Sequence, residues 1–179
     1  GCPPRDLVIL FFGKVHVNFG EPLPLAGFLD SYRPDWRASP ADGEWLRATT
    51  REAAGELATR TNAAAVINPV SLVALGLLAT PEYTADEYGL RRMIAHYQAL
   101  DAAAPYSPQR IACALDPVQV IAHAARLGIV EEIPHPFGNL VRVVDAQVEV
   151  LPYFRNNVLH LFAVPAVIAC LLGNNRSLE

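Results

Sequence analysis

Two short apolar runs open the chain, and each is typical of a β-strand. Leu7–Phe12 contains no polar side chain, which predicts a buried strand. Lys14–Phe19 alternates polar and apolar residues, which predicts a second strand with one covered face. Gly20–Pro22 ends that strand, because proline cannot donate a hydrogen bond to a strand ladder. Pro24 then begins a predicted short helix that runs through Leu29.

Capping signals predict that most of the remaining chain is helical. Thr49–Glu52 and Thr84–Glu87 both have the form of a capping box, so we expect a helix to start at each. The second of these helices should extend to about Leu100. Asp116–Gln119 supplies an N-cap, a proline at the first helical position and a glutamine at the third, and its helix should end at Gly128.

A long apolar run from Ala63 to Ala79 separates the first two of these helices. It carries no charge between Arg60 and Glu82, so its length could span a bilayer. Pro69 lies inside it, however, and must break or kink a helix. Because alanine is also only weakly hydrophobic, the pattern favours two buried helices over a membrane span.

The C-terminal part is predicted to hold a small β-hairpin and a final helix. Leu140–Val144 and Gln147–Leu151 are short β-forming runs on either side of a turn. The final helix should begin near Tyr153, be kinked or restarted at Pro165, and stop at Gly173.

The composition excludes several classes of function. The 179 residues are 52% hydrophobic and 18% charged, with a net charge of −4, so nucleic-acid binding has no electrostatic support. The three cysteines are an odd number without metal-ligand spacing, which argues against a disulfide framework and a metal site and favours a reducing cytoplasm. They are Cys2, Cys113 and Cys170.

The strongest candidate for binding chemistry lies at the start of the final helix. Arg155, Asn156 and Asn157 precede almost unbroken apolar sequence, where a cation must find a partner or reach water. Such a cluster suits an anion, for example a phosphate group. The same residues could also cap a buried helix and bind nothing, and the residues alone leave both interpretations open.

One histidine–aspartate pair resembles a catalytic dyad by spacing alone. His96 and Asp101 satisfy H-x-x-x-x-D, but both fall in or at the end of one predicted helix, where five positions point the side chains apart. We therefore expect the match to be a coincidence. His160 lies one helical turn beyond Asn156 and could share its face. No residue of this chain is assigned as catalytic.

Five motifs resemble, in order, those of the bacterial membrane-associated glycerol-3-phosphate 1-O-acyltransferase. The first looks like the last strand of that family's acyltransferase domain, and the last looks like its Y-Y/F-R-N-N-x-x-x-H signature. The motifs are Val15–Leu25, Pro34–Arg37, Arg60–Ala64, Pro105–Ser107 and Tyr153–Asn157 with His160.

The resemblance implies a reaction and a location for the parent enzyme. That family transfers a fatty acyl group from acyl-CoA or acyl-carrier protein to the 1-hydroxyl of sn-glycerol 3-phosphate, giving lysophosphatidic acid for phospholipid biosynthesis. It works at the cytoplasmic face of the inner membrane and needs no metal or other cofactor. Its H-x-x-x-x-D and arginine-bearing catalytic blocks precede the region matched here, so we expect the chain alone to be inactive.

The resemblance also implies a division of the chain. Residues 1–30 would be the terminal strands of the acyltransferase α/β domain, and residues 31–179 part of a helical C-terminal region with the small hairpin. The expected fold class is thus α+β and mainly α-helical. Strands without their upstream sheet leave an exposed edge, which predicts self-association.

Within the family, Arg155 would contact the phosphate or headgroup, with Asn156 and Asn157 fixing its geometry. The alternative is a non-catalytic module: a helical interaction domain, or a membrane attachment through the apolar helices after Val158.

Overall fold

The computed structural model describes residues 17–38 and 43–175. They form a mainly helical fold with one small antiparallel sheet, as the expected fold class requires. Short 3₁₀ turns lie at Pro81–Tyr83, Asp145–Gln147 and His160–Phe162. The helices and strands are α1 (Leu25–Tyr32), α2 (Gly43–Ala63), α3 (Pro69–Leu77), β1 (Thr84–Asp86), α4 (Glu87–Ala103), α5 (Pro117–Arg126), β2 (Val130–Ile133), β3 (Leu140–Val143), α6 (Leu151–Leu159) and α7 (Ala163–Asn175).

Helix α3 is the centre of the core. Eight of its nine residues, all but Pro69, are buried, and α4, α5 and α6 pack around it. Pro69 does not kink a longer helix but starts this one, because its missing N–H falls in the first turn, where no intrahelical partner is needed. The Asn68 side chain caps the helix by accepting a hydrogen bond from the Ser71 N–H at 2.9 Å.

The prediction of two buried helices in Ala63–Ala79 is therefore only half right. Ala63 ends the largely exposed α2, and only α3 is a buried helix. Between them the chain is extended enough to form an isolated parallel bridge from Val66 to Ile111.

The sheet has the strand order β1-β3-β2, with both pairs antiparallel. The predicted strand at Leu140–Val144 is confirmed as β3, but the predicted strand at Gln147–Leu151 is wrong. Because β1 and β2 pair with the two edges of β3, a further strand has no free edge of β3 to pair with. That segment instead forms part of a 3₁₀ turn and then begins α6.

Two of the three helix starts predicted from capping patterns are confirmed, and the one at Thr49 is wrong. Asp116 and Gln119 form the reciprocal capping box of α5, and Gly128 follows that helix with a positive φ of 67°. For α4, the cap is Asp86, which accepts from the Gly89 N–H, and Thr84 belongs to β1. Thr49 caps nothing: it is a buried interior residue of α2, whose helix-forming sequence begins six positions earlier.

The N-terminal prediction is confirmed only for the helix after Pro24, which is α1. The Leu7–Phe12 strand lies outside the described residues. Of the predicted second strand, the described part Val17–Phe19 is not in a strand, and Phe19 is 90% exposed. In the described part of the chain no neighbouring strand offers it a ladder. Self-association through these strands stays a prediction.

The final helical segment starts at Leu151, close to the predicted position. Its irregularity is the 3₁₀ turn at His160–Phe162, just ahead of the predicted site at Pro165. A proline ring crowds the turn before it and removes one backbone donor, which accounts for an irregular turn at that point. Gly173 does not stop the helix, which continues to Asn175.

Candidate functional site

His160 and Asn62 join two distant parts of the described chain. His160 Nε2 lies 3.1 Å from the backbone oxygen of Asn62. A carbonyl oxygen can only accept a hydrogen bond, so Nε2 must carry the proton and donate. The Tyr106 ring packs edge-on against the His160 ring, with 5.2 Å between the ring centroids. Three of the five sequence motifs thus meet at the C-terminal end of α2.

The first motif reaches the same junction through its polar side chains. Asn18 Nδ2 donates to the backbone oxygens of Ala64, at 3.1 Å, and Gln109, at 3.3 Å. Arg60 Nη1 donates to the backbone oxygens of Glu21 and Pro22, at 3.0 and 2.6 Å. These bonds fix the segment after Val17 against α2, although it forms no strand.

The Pro34–Arg37 motif folds back onto α1. Trp36 Nε1 donates to Asp30 Oδ1 at 2.9 Å, and Arg37 Nη1 donates to the same oxygen at 2.5 Å. Hydrogen bonds from Arg37 and then Trp36 lower the pKa of the Asp30 carboxyl from its ordinary value. The motif therefore closes the C-terminal end of α1, a structural role.

The three predicted binding residues are adjacent on α6, but only two of them touch. Arg155 Nε and Nη2 both donate to Asn156 Oδ1, at 3.2 and 3.1 Å. Asn157 is exposed and takes no part in that contact. Among the described residues, Arg155 forms no ion pair with a carboxylate. The half-buried guanidinium is thus held by one amide and has no acidic partner in this part of the chain.

Asp101 is paired with an arginine rather than with His96. Arg110 Nε donates to Asp101 Oδ1 at 2.5 Å, and Arg110 Nη2 donates to the Asp101 backbone oxygen at 3.0 Å. The two side chains are 16% and 7% exposed, whereas His96 lies on an exposed position of α4. This arrangement agrees with the expectation that His96 and Asp101 are not a catalytic dyad.

A cavity of about 770 Å³ lies beside the predicted binding residues and was not predicted from the sequence. Its walls come from the start of α3, the 111–115 segment, α5 and α6, so no local pattern could indicate it. Phe154, the neighbour of Arg155, forms part of the wall. The polar groups around it include Gln147, His123 and Arg126, and Arg126 Nη2 lies 2.9 Å from His123 Nδ1.

The described cysteines are free thiols. Cys113 is half-buried and lines the cavity, where burial raises the pKa of its thiol. Cys170 is exposed on α7, and Cys2 lies outside the described residues. Within residues 17–38 and 43–175, no group of three histidine, cysteine or acidic residues is placed to hold a metal ion.

One helical segment has the length and composition of a membrane span. Residues 151–173, through α6 and α7, have this character, and an 18-residue stretch within them is only 17% buried. Tyr153 and Leu159 are exposed on α6, and most of the exposed apolar side chains lie on α7, namely Val164, Val167, Ile168, Leu171 and Leu172.

Comparison with known proteins gives one consistent match. Residues 5–179 match the family model described as the glycerol-3-phosphate acyltransferase C-terminal region. A protein named glycerol-3-phosphate acyltransferase from Pseudomonas putida KT2440 is 42% identical over 162 residues, covering 88% of this chain and 20% of the relative. Relatives of the same name from Xylella fastidiosa M12 and Xanthomonas campestris pv. campestris are 37% and 36% identical over 172 residues, 94% of this chain. No solved structure matches.

The match covers almost the whole chain and thus defines the class of region to which this mainly helical fold belongs. The chain belongs to the family of glycerol-3-phosphate acyltransferase C-terminal regions. It spans about a fifth of the length of the curated relatives it matches.

Proposed function

We propose that the chain is part of an enzyme that transfers a fatty acyl group from acyl-CoA or acyl-carrier protein to the 1-hydroxyl of sn-glycerol 3-phosphate. The product would be lysophosphatidic acid, a precursor in phospholipid biosynthesis. The match over residues 5–179 to this family's C-terminal region is the observation that carries the proposal. In the reaction the hydroxyl loses its proton to a general base and attacks the thioester carbonyl, and the thiol leaves.

We propose that the chain alone is inactive, because the candidate bases considered in the described part of the chain are poorly placed for the reaction. The Asp101 carboxylate accepts a hydrogen bond from Arg110, and His96 lies at an exposed position. His160 donates its Nε2 proton to a backbone oxygen, so that nitrogen cannot accept a proton from a substrate. We propose that the general base belongs to the part of the parent enzyme that this chain does not cover.

Arg155 is the residue proposed to bind the phosphate of glycerol 3-phosphate. Asn156 Oδ1 holds Nε and Nη2 in a fixed direction, and Nη1 remains for a phosphate oxygen. A guanidinium held in this way can donate charge-assisted hydrogen bonds at little further cost in side-chain entropy. Asn157, exposed one position on, is the other candidate contact.

Steady-state kinetics of the full-length enzyme with Arg155→Ala test the proposal. Charge-assisted hydrogen bonds contribute about 1.5–3 kcal/mol, so the KM for glycerol 3-phosphate should rise about tenfold to a hundredfold. Arg51→Ala, which removes an exposed arginine from α2, is the matched control and should leave KM unchanged. An Arg155→Ala enzyme with unchanged turnover and KM would contradict the role of Arg155. A lower melting temperature with unchanged KM would instead assign Arg155 to an interdomain ion pair.

We also propose that α7 attaches the enzyme to the cytoplasmic face of the inner membrane. Apolar helices in soluble cores are mostly buried, whereas Val164, Val167 and Leu171 are 65%, 58% and 61% exposed. Such a face can lie in the headgroup boundary of a bilayer. Few cations flank it in the sequence, so apolar burial would have to supply most of the affinity.

Co-sedimentation with phospholipid vesicles tests this attachment. The double variant Ile168→Glu with Leu171→Glu places charges on the exposed face of α7 and should lower the bound fraction severalfold. Leu46→Glu with Leu57→Glu makes the same chemical change at exposed leucines of α2 and should leave binding unchanged. Equal binding by both double variants would exclude α7 as the attachment.

A further inference from the structure

The cavity beneath Phe154 has mainly apolar walls and a positive polar end. The apolar side chains that line it include Val66, Val70, Ile111, Leu115, Ile129 and Phe154. Among the described residues no aspartate or glutamate lines it, although the chain as a whole carries a net charge of −4. A volume of about 770 Å³ falls within the range of about 300–1,000 Å³ that small-molecule sites occupy.

Two independent features make one end of the cavity attractive to an anion. Arg126 lines it and forms no ion pair with any carboxylate in the described part of the chain. Asn68 and Pro69, at the N-terminus of α3, line it as well, and the first turn of a helix carries partial positive charge. Arg126 is kept in place by His123 Nδ1, at 2.9 Å.

The occupant must match both features. A peptide segment would bury backbone N–H and C=O groups against walls that offer few partners for them, which is costly. An alkyl chain has no such groups and gains free energy from every methylene removed from water. Arg126 is exposed, so a neutral or cationic head group would bind there without the charge-assisted hydrogen bonds that an anionic head gains.

We propose that this cavity binds a single-chain amphiphile with an anionic head, the alkyl chain lying along the apolar walls and the head at Arg126. The site rests on the cavity's own residues and not on the proposed acyl transfer, although lysophosphatidate, the product of that reaction, is one ligand of the required chemistry. A fatty-acid carboxylate and the phosphate of a lysophospholipid share the required chemistry, and competition separates them.

Photoaffinity labelling of the full-length enzyme tests the proposal. The probe is a palmitate analogue with a diazirine in its alkyl chain, and the labelled peptides are identified by mass spectrometry. Label should appear in peptides that contain residues 111–115 and Phe154. Unlabelled palmitate and lysophosphatidate should each displace the probe, and the better competitor identifies the head group. Absence of label in these peptides, or equal displacement by uncharged hexadecanol, would overturn the proposal.

Variants of the cavity residues distinguish specific binding of the probe from nonspecific labelling. Arg126→Gln should weaken binding of the probe about tenfold, since it removes a charge-assisted contact. Ala114 lines the cavity at an exposed position. Ala114→Trp should therefore fill the cavity and abolish labelling of the cavity peptides. Arg51→Gln and Ala122→Trp make the same changes at exposed positions outside the cavity and should label like the wild type. Full labelling of Arg126→Gln and Ala114→Trp would overturn the proposal.

Acyl transfer measured on the same preparations keeps this proposal distinct from the first. An enzyme that forms lysophosphatidate but gives no cavity label would overturn the binding site and leave the proposed activity intact. An enzyme with labelled cavity peptides but no acyl transfer would support the binding site and overturn the proposed activity.

Discussion

His160 Nε2 and the Asn62 backbone oxygen are 3.1 Å apart, although 98 positions separate the two residues in sequence. This hydrogen bond connects the 3₁₀ turn between α6 and α7 with the last turn of α2. Tyr106 covers the imidazole from the side. The polar side chains at this junction thus have a structural explanation, since they bond mainly to backbone oxygens of distant segments.

Replacing His160 with alanine should destabilise the fold. The substitution removes a part-buried donor and leaves the Asn62 oxygen without it, so the free energy of unfolding should fall by about 1–3 kcal/mol. Urea titration followed by circular dichroism measures the change. His96→Ala, at an exposed position of α4, is the control and should stay within about 0.5 kcal/mol of wild type. Equal effects of the two substitutions would contradict the role of His160.

Asp101 and Arg110 should behave as a coupled, largely buried pair. Asp101→Ala leaves the Arg110 charge poorly solvated and should cost about 3–5 kcal/mol of stability. The double variant Asp101→Ala with Arg110→Ala should lose clearly less than the sum of the two single losses. A double-mutant cycle by urea denaturation measures this coupling, and strict additivity would show that the contact contributes nothing.

Gly76 permits the close packing of α3 on α4. A Cβ at this position would lie 2.7 Å from Leu90 Cδ1, and Leu90 is fully buried. Gly76→Ala should therefore destabilise the protein by about 1–3 kcal/mol through overpacking. Gly55→Ala is the matched control in α2, where a Cβ meets nothing within 4 Å, and should stabilise by about 0.5–1 kcal/mol. Thermal unfolding distinguishes the two signs, and a stabilising Gly76→Ala would contradict the packing.

Cys113 should react with alkylating agents only at unusually high pH. Burial disfavours the thiolate and raises the pKa of this thiol, so its alkylation rate should rise at a higher pH than that of an ordinary cysteine. The unfolded state releases this proton first, so the contribution of Cys113 to stability should fall as pH rises through the ordinary thiol range. Iodoacetamide labelling, quantified by peptide mass spectrometry, measures the profile. The same profile in the folded and urea-unfolded protein would contradict the burial.

Local signals in the sequence predicted local structure well. The Asp116–Gln119 box depends only on neighbouring residues, and the structure contains every part of it. The contact between Arg155 and Asn156 likewise joins adjacent residues. By contrast, Thr49–Glu52 shows that a capping pattern can also occur inside a helix that begins earlier.

Non-local structure could not be predicted in the same way. Strand β1 has three residues and β2 contains two glutamates, so neither shows a clear strand pattern, and both depend on pairing with β3. The cavity near Phe154 is assembled from segments spread over much of the chain. Only the folded arrangement brings Arg126 and the start of α3 to the same space.

The most direct test of the account compares acyl transfer by the full-length protein and by this chain alone. Both are incubated with labelled glycerol 3-phosphate and either acyl-CoA or acyl-carrier protein, and lysophosphatidate is measured. We expect product from the full-length protein and none from the chain. Product formed by the chain alone, or none formed by the folded full-length protein with either donor, would contradict the account.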